Sequence, residues 1–283
     1  MRDNLIKGEI IMPNKYSVLM SVYNKENPIY LRESMQSIYA QTLPTDDFVL
    51  VCDGPLNDEL DQIIDEMKQK FRERLHVHRL AENKGLGIAL NYGMQKCKNE
   101  YIARMDSDDI SRVYRCELQM KTFTRYPDIS VLSGTINEFE LVPNKSTGKR
   151  KLPSNYESIK LYSRKRNPIN HPCVMFKKSA VLSSGGYKET FHLFEDYYLW
   201  IRMLMNGYKF KNIDDILLDM RTSKRMYARR GGMQYAKTLL CFHKWMYING
   251  WSTKFDYISG ALPHAIVCIL PNIVRAQVYK ILH

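Results

Sequence analysis

Tyr101-Ile-Ala-Arg-Met-Asp106-Ser-Asp108-Asp109-Ile110 is the stretch on which the reading of this chain turns. An apolar run feeds directly into three carboxylates within four positions. With residues 101–105 as a strand, period-2 geometry puts Asp106 and Asp108 on one face and Asp109 on the other. Two acidic side chains so aligned at a strand end make half of an oxygen site for a hard cation, Mg²⁺ or Mn²⁺. Phosphate oxygens of a substrate commonly complete such a shell. Taken alone, the triplet reads first as a solvated turn, since Asp and Ser are turn residues. The flanking segments argue for the site.

Upstream, strands and helices alternate. Residues 16–22 (YSVLMSV) read as a buried strand, with Asn24 just beyond it. Pro28 opens a helix whose apolar positions Leu31, Met35, Ile38 and Tyr39 recur at helical spacing. Residues 48–52 form a second strand ending in the turn Asp53-Gly54-Pro55. A polar helix spans about 57–71, and a third strand 75–80. Asn83-Lys-Gly-Leu-Gly-Ile-Ala-Leu-Asn91-Tyr-Gly93 then leads into the helix before the carboxylates. This alternation predicts an α/β fold with parallel strands and helices on both faces. Ligands in such sheets sit beyond the carboxyl ends of the strands. Asn24, Asp53, Asn83 and Asp106 all fall there.

Downstream, the pattern predicts a helix over 113–125 and a strand over 129–133. A loop or irregular hairpin follows over 138–154, then a strand over 171–176. Residues 194–204 read as a helix with Glu195 and Asp196 in its first turn, a placement the helix dipole by itself would favour. No repeat or low-complexity tract interrupts the chain.

Composition narrows the function classes. A chain of 283 residues with 45% hydrophobic and 25% charged content is that of a globular protein with a sizeable core. The six cysteines are scattered with no C-x-x-C pair, which fits a reducing compartment better than a disulfide framework or zinc site. The first 15 residues have no sustained apolar segment and do not read as a secretory signal. No later segment has the roughly 18 uninterrupted apolar residues of a membrane span. The net charge of +12 is unevenly placed: residues 220–283 hold ten Lys or Arg against one acid, Asp256. Such a tail suits an anionic surface, nucleic acid or phospholipid.

Together these residues resemble a family-2 glycosyltransferase with the GT-A fold, of the type that builds bacterial capsular polysaccharide, exopolysaccharide or O-antigen. The resemblance rests on Ser21-Val-Tyr-Asn24, Asp53, the segment from Asn83 to Asn91, Asp106-Ser-Asp108-Asp109, Gly185-Gly186-Tyr187 and Phe194-Glu195-Asp196. It covers about residues 15–220. It implies a mixed, mostly parallel sheet and an extension 1–14. It also implies a catalytic domain 15–220, with nucleotide half 15–110 and acceptor half 111–220, and a helical basic tail 221–283.

The implied reaction is transfer of a sugar from a nucleotide diphosphate, usually UDP, to a glycan on a lipid diphosphate carrier or polysaccharide. Asp53 would accept a hydrogen bond from the base. Tyr23 and Asn24 would line the base and ribose pocket, and Asn83 would approach the nucleotide or cap a helix. Asp106 would contact the ribose or a metal-bound water, and Asp108 would ligate Mn²⁺ or Mg²⁺. Asp196 would be the base of an inverting attack, with Glu195 holding the acceptor or orienting the base. Many relatives carry Arg before the asparagine of the Asn91 segment, where this chain has Leu90. Arg104 or Lys84 could compensate on the diphosphate; Lys84 is otherwise simply solvated. An unpaired Arg104 within its apolar run would be costly, so it is expected to pair with a carboxylate or phosphate.

His171 reads either as a ligand for metal or acceptor or as a satisfied structural histidine. Arg229-Arg230-Gly231-Gly232 suits a phosphate or a solvated charge run. In the tail, residues 235–248 and 270–282 read as amphipathic helices for a membrane interface. The same faces could pack on the catalytic domain or form a homodimer. A peripheral enzyme on the inner face of the cell membrane is the implied setting. Two other classes compete. A nucleotidyltransferase or aspartate-based phosphatase would share the acidic motif. The phosphatase needs a nucleophilic Asp after the first strand, whereas here the acids follow the fourth. A basic module binding nucleic acid is permitted by charge, yet no nucleic-acid motif is visible and nucleic acid is not an expected partner.

Overall fold

The computed structural model describes residues 15–143, 145–223 and 231–270. The extension 1–14, the Arg229-Arg230 pair and most of the helix expected over 270–282 lie outside these.

The first half is a strand–helix alternation: β1 (Ser17–Val22), α1 (Pro28–Tyr39), β2 (Asp47–Cys52), α2 (Asp58–Phe71), β3 (Leu75–Arg79), α3 (Leu86–Lys96) and β4 (Tyr101–Asp106). Local chemistry sets the helix starts. The Asn27 side chain accepts from Ile29 N–H with Pro28 at the first helical position, and Asn57 caps α2 through Leu60 N–H. Asn83 is not a cap: α3 starts after Gly85, whose φ of 91° suits glycine. The second half holds β5 (Ile110–Ser111), α4 (Arg115–Arg125), β6 (Ile129–Phe139), β7 (Ser146–Arg150), α5 (Tyr156–Tyr162), β8 (Met175–Lys177), α6 (Lys178–Ser183), α7 (Glu195–Met205) and β9 (Lys209–Arg221).

Among the described residues these strands form one mixed sheet in the order β3-β2-β1-β4-β8-β6-β9-β5, with β7 on β6. The β1–β4 block is parallel; β8 then runs antiparallel to β4 and β6, and β6 pairs β9 in parallel. Alternation along the strands sends side chains to two cores. Leu19, Val49 and Val51 face α3 and α7; Val18, Met20, Phe48 and Leu50 face α1, α2 and α4.

Three expectations need correction. The strand at 129 runs on to Phe139, where β7 pairs with its end in antiparallel fashion with a register shift, the irregular hairpin of the two alternatives for 138–154. At 171–176 only Met175 onward is strand, because Pro172, with fixed φ and no N–H, holds His171–Cys173 in a 3₁₀ turn. The long strand β9 was not read from the sequence at all. Its segment KFKNIDDILLDMR breaks alternation, and its register with β6 slips around Gly134. A Cβ on Gly134 would lie 2.6 Å from the Leu217 side chain.

Beyond β9 come α8 (Met233–Ile248), a helical turn at Lys254–Asp256 with a Thr253 capping box, a π-helical turn at Tyr257–Ala261, and α9 (Leu262–Ile269). These join the main core. Leu239, Phe242, Met246, Ala261, Ala265 and Cys268 are buried in the same cluster as Phe194, Tyr197 and Tyr198. The Phe242 ring sits 4.8 Å from Tyr197 and 5.2 Å from Phe191. Packing of aromatic rings thus fixes the described part of the tail on α7 and the segment before it.

Candidate active site

The parallel registers bring the strand ends together. Val22 pairs with Cys52, Ser21 with Asp106, and Cys52 with Arg79. Tyr23, Asn24, Asp53, Asn83 and Asp106 therefore share one edge of the sheet. Asp53 is buried, and its carboxylate accepts from Lys84 N–H at 2.7 Å and Gly85 N–H at 3.0 Å. It ties the end of β2 to the start of α3, and each oxygen keeps a second lone pair for a ligand. Gly54 (φ 89°) makes that approach feasible, since a Cβ there would meet the Asn83 nitrogen at 2.7 Å. The Asn83 amide donates to Asp53 O at 3.2 Å, and the Lys84 ammonium pairs with Glu82 at the surface. Tyr23 and Asn24 are exposed on the turn after β1, where Asn57 Nδ2 donates to Asn24 O.

Arg104 is 1% exposed and forks onto Asp106 two positions on, the same-face partner in a strand. This guanidinium is engaged with Asp106 rather than displayed at the surface. Asp108, beyond the strand, is partly exposed. Burial, and then the charges of Asp106 and Glu26, push its carboxyl up to about 7. Glu26 comes from the turn after β1 and accepts from Ser107 Oγ. Asp109 points the other way: it is buried and accepts from Arg221 N–H at 2.8 Å. Arg221 also donates to Asp108 O and Glu33, and stacks over Tyr30 at 3.7 Å. Asp109 is thus the bolt between the acidic turn and the end of β9. Burial and its two acidic neighbours raise its carboxyl well above the usual range.

The segment leading to α7 is held to this edge by a long-range clasp. Asn91 on α3 donates to Tyr187 O at 2.8 Å and accepts from Tyr187 N–H at 2.9 Å. Gly186 (φ 61°) lies so close to Asn91 that a Cβ would sit 2.5 Å from its amide oxygen. The Tyr187 hydroxyl meets His171 Nε2 at 2.9 Å, and that phenol lies within electrostatic reach of Arg104, Asp196 and Asp106. His171 itself packs on Tyr187 and Trp200; burial, then Arg104, hold it well below the usual histidine range. It is a neutral wall residue. Asp196 Oδ2 accepts from Asn167 Nδ2 at 2.7 Å, and Glu195 accepts from Leu193 N–H at 3.0 Å. Leu193 has φ of 69°, a strained conformation for a branched side chain.

Sequence reasoning passed over Glu26, Asn167, Arg221 and the clasp made by Asn91 and Tyr187. Glu26 could have been noticed, two residues past Asn24 on the same edge. Asn167 carries no local signal, being brought to Asp196 only by the tertiary fold.

Among the described residues no group of three or more His, Cys, Asp or Glu side chains is placed to hold a metal ion by itself. Among the described residues Asp108 lies with Asp106 and Glu26 in a negative cluster that Arg104 counters. Their oxygens are hard donors, the kind that a divalent cation sharing substrate phosphates takes.

Comparisons place this geometry among known proteins. The profile of glycosyl transferase family 2 matches residues 17–183. An Escherichia coli UDP-Gal:alpha-D-GlcNAc-diphosphoundecaprenol beta-1,3-galactosyltransferase is 38% identical over 266 residues, 94% of this chain and 95% of the relative. The amylovoran biosynthesis glycosyltransferase AmsE of Erwinia amylovora is 35% identical over 79% of this chain and 82% of its own. Among solved structures, the mannosyltransferase PcManGT from Pyrobaculum calidifontis, in complex with GDP-Man and Mn²⁺, superposes with TM-score 0.63 at 16% identity, over 95% of this chain and 80% of that one. S. aureus TarS 1-349 with UDP-GlcNAc gives 0.62 at 17%, over 88% and 71%. At such identity these two speak for the GT-A-like fold alone.

Proposed function

From the premise that the chain belongs to glycosyl transferase family 2, and is a glycosyltransferase with a GT-A-like fold, we propose an inverting, metal-dependent transfer of a hexose from a UDP-sugar to a glycan on a lipid diphosphate. The product would enter bacterial surface polysaccharide, and the enzyme would work peripherally at the inner face of the cell membrane. Residues 15–220 would be its catalytic unit. The relative 38% identical over 94% of the chain carries such a donor and acceptor in its name, which supports the same classes here.

One observation carries the mechanism: the sheet edge keeps two separate carboxylate groups. Asp106 ends β4 and Asp108 follows it, while Asp196 stands on another element with its own donor, Asn167. Asp53, anchored by two backbone N–H groups, presents remaining lone pairs to the base, and Tyr23 and Asn24 flank the ribose. Asp108, supported by Asp106, would hold a divalent cation, which when bound neutralises charge on the diphosphate. The acceptor hydroxyl oxygen bonds to the anomeric carbon as the bond from that carbon to the diphosphate oxygen breaks. The electron pair leaves on the diphosphate, and the hydroxyl proton passes to Asp196. Asn167 fixes one oxygen of Asp196, and the positive end of α7 favours its anionic form. Attack opposite the leaving group inverts the anomeric centre.

Calorimetry with UDP and Mn²⁺ tests the donor site. Asp108→Ala should lower the Mn²⁺-dependent affinity by about 10²-fold or more while the circular dichroism spectrum is retained. Unchanged affinity would remove Asp108 from the site.

A further inference from the structure

The helical run from Lys254 to Ile269 is apolar on both sides. Ala261, Ala265 and Cys268 face the core, as apolar residues should. Yet the outward stripe is also apolar: Phe255 (71% exposed), Ile258, Leu262, Ile266 (63%) and Ile269 stand in solvent every three or four residues. Residues 257–269 contain no Lys, Arg, Asp or Glu. A helix apolar all round is normally covered, and an exposed patch of this kind marks an interaction surface.

What lies beside the stripe identifies the occupant. The segment 160–166, KLYSRKR, has four cations and no acid. Lys165 lies 5.0 Å from the Phe255 ring and 3.5 Å from Asp256, and Arg164 is 4.0 Å from the same carboxylate. Asp256, the single acid of residues 220–283, is thus buried and neutralised, so the tail presents cations and apolar side chains without an acid. A symmetric contact with a second copy would bring these cationic segments towards one another. An anionic bilayer complements both features, taking the stripe below its headgroups and the cations at their level.

We infer that the stripe Phe255–Ile269 and the basic segment 160–166 together form a docking face for an anionic lipid bilayer. The face is continuous with the reaction centre, because Arg166 directly precedes Asn167, the residue that holds Asp196. A bilayer seated there brings the sugar of a lipid-linked acceptor to the base side of the site. In this the inference rests on the proposed acceptor class and deepens it.

The test uses the full chain and vesicles of phosphatidylcholine with about one-third phosphatidylglycerol. The protein should sediment at low salt and release as salt rises. The double variant Phe255→Ser, Ile266→Ser should partition about thirtyfold more weakly, the effect of losing roughly half the burial of two large side chains. Transfer to an acceptor embedded in the vesicles should fall in parallel, while transfer to a water-soluble short-chain acceptor stays unchanged. Equal sedimentation of both proteins overturns the inference. So does a variant whose thermal stability drops with unaltered sedimentation, which would put residues 271–283 over the stripe. A dimer in light scattering that the variant dissociates, with no vesicle binding, overturns it in favour of a second copy. If the wild type transfers sugar to neither acceptor, the acceptor reading falls, and sedimentation still decides the docking face.

Discussion

The two sides of the site are held by different physics. On the proposed donor side, Asp53, Asp106 and Asp109 sit within three residues of a parallel strand end and are fixed by hydrogen bonds. Asp53 takes two N–H groups, Asp109 takes one from Arg221, and Asp106 is forked by Arg104. On the acceptor side, α7 presents Asp196 from a bed of aromatic rings supplied by α8, with Phe242 between Tyr197, Phe194 and Phe191. Charge placement near developing negative charge needs rigid polar anchors. A base that must meet different acceptors can stand on a packed platform, provided that platform is firm.

The largest expected effect breaks chemistry and spares both platforms. Asp196→Asn keeps size and the Asn167 contact but cannot take a proton. It should lower kcat by about 10²–10⁴ with donor affinity nearly unchanged. Near-normal turnover would move the base to Glu195, and a collapse of donor binding would move Asp196 to the metal side.

Next in size is a cut into the aromatic platform. Phe242→Ala should cost about 3–5 kcal/mol in urea unfolding, a large share of a domain's stability. If the protein stays folded, its KM for acceptor should rise more than its affinity for UDP falls, because Phe194 and Tyr197 adjoin the base. Equal effects on both substrates would mean that the two sides are one mechanical unit.

The smallest effect is pH-dependent. His243, buried on α8, is held down from 6.5 to about 4, first by burial and then by the charge of His264. The folded state therefore keeps it neutral where the unfolded chain protonates it. Its contribution is fully present above about 6.5 and fades as pH falls towards 4, at up to about 1.4 kcal/mol per pH unit. His243→Leu should flatten the stability profile between pH 6.5 and 5, measured by urea midpoints. A slope unchanged by the variant would place the acid sensitivity on another group than His243; the raised carboxyls of Asp108 and Asp109 act in the opposite sense, adding stability as pH falls.

The two sides also differ in how far they could be read in advance. Every donor-side group lies in a short segment that carries its own signal: an apolar run, then a polar residue at its end. The Asn83 to Asn91 segment was legible as a helix start, though the cap went to Gly85 because positive φ suits glycine better than asparagine. The acceptor half was harder. Strand β9 was invisible because its polar residues Asn212 and Asp219 are buried by tertiary hydrogen bonds, to Pro153 O and Pro168 O and from Arg112, respectively. Periodicity cannot show a buried polar residue whose partner lies elsewhere in the chain.

By itself the sequence determined the α/β alternation, the carboxylates at the strand ends and the helix over 235–248, because each depends on residues within one turn or one strand of each other. Only the tertiary structure decided what those groups face. Asp109 met Arg221 across 112 positions, Asn91 clasped Tyr187 across 96, and Asn167 came to Asp196. It also decided that α8 is core while the stripe from Phe255 to Ile269 faces solvent. An apolar face needs a partner, and local pattern cannot choose between the core and an outside surface. That choice belongs to the assembled chain, where the first apolar surface within reach takes the face and leaves the next one exposed.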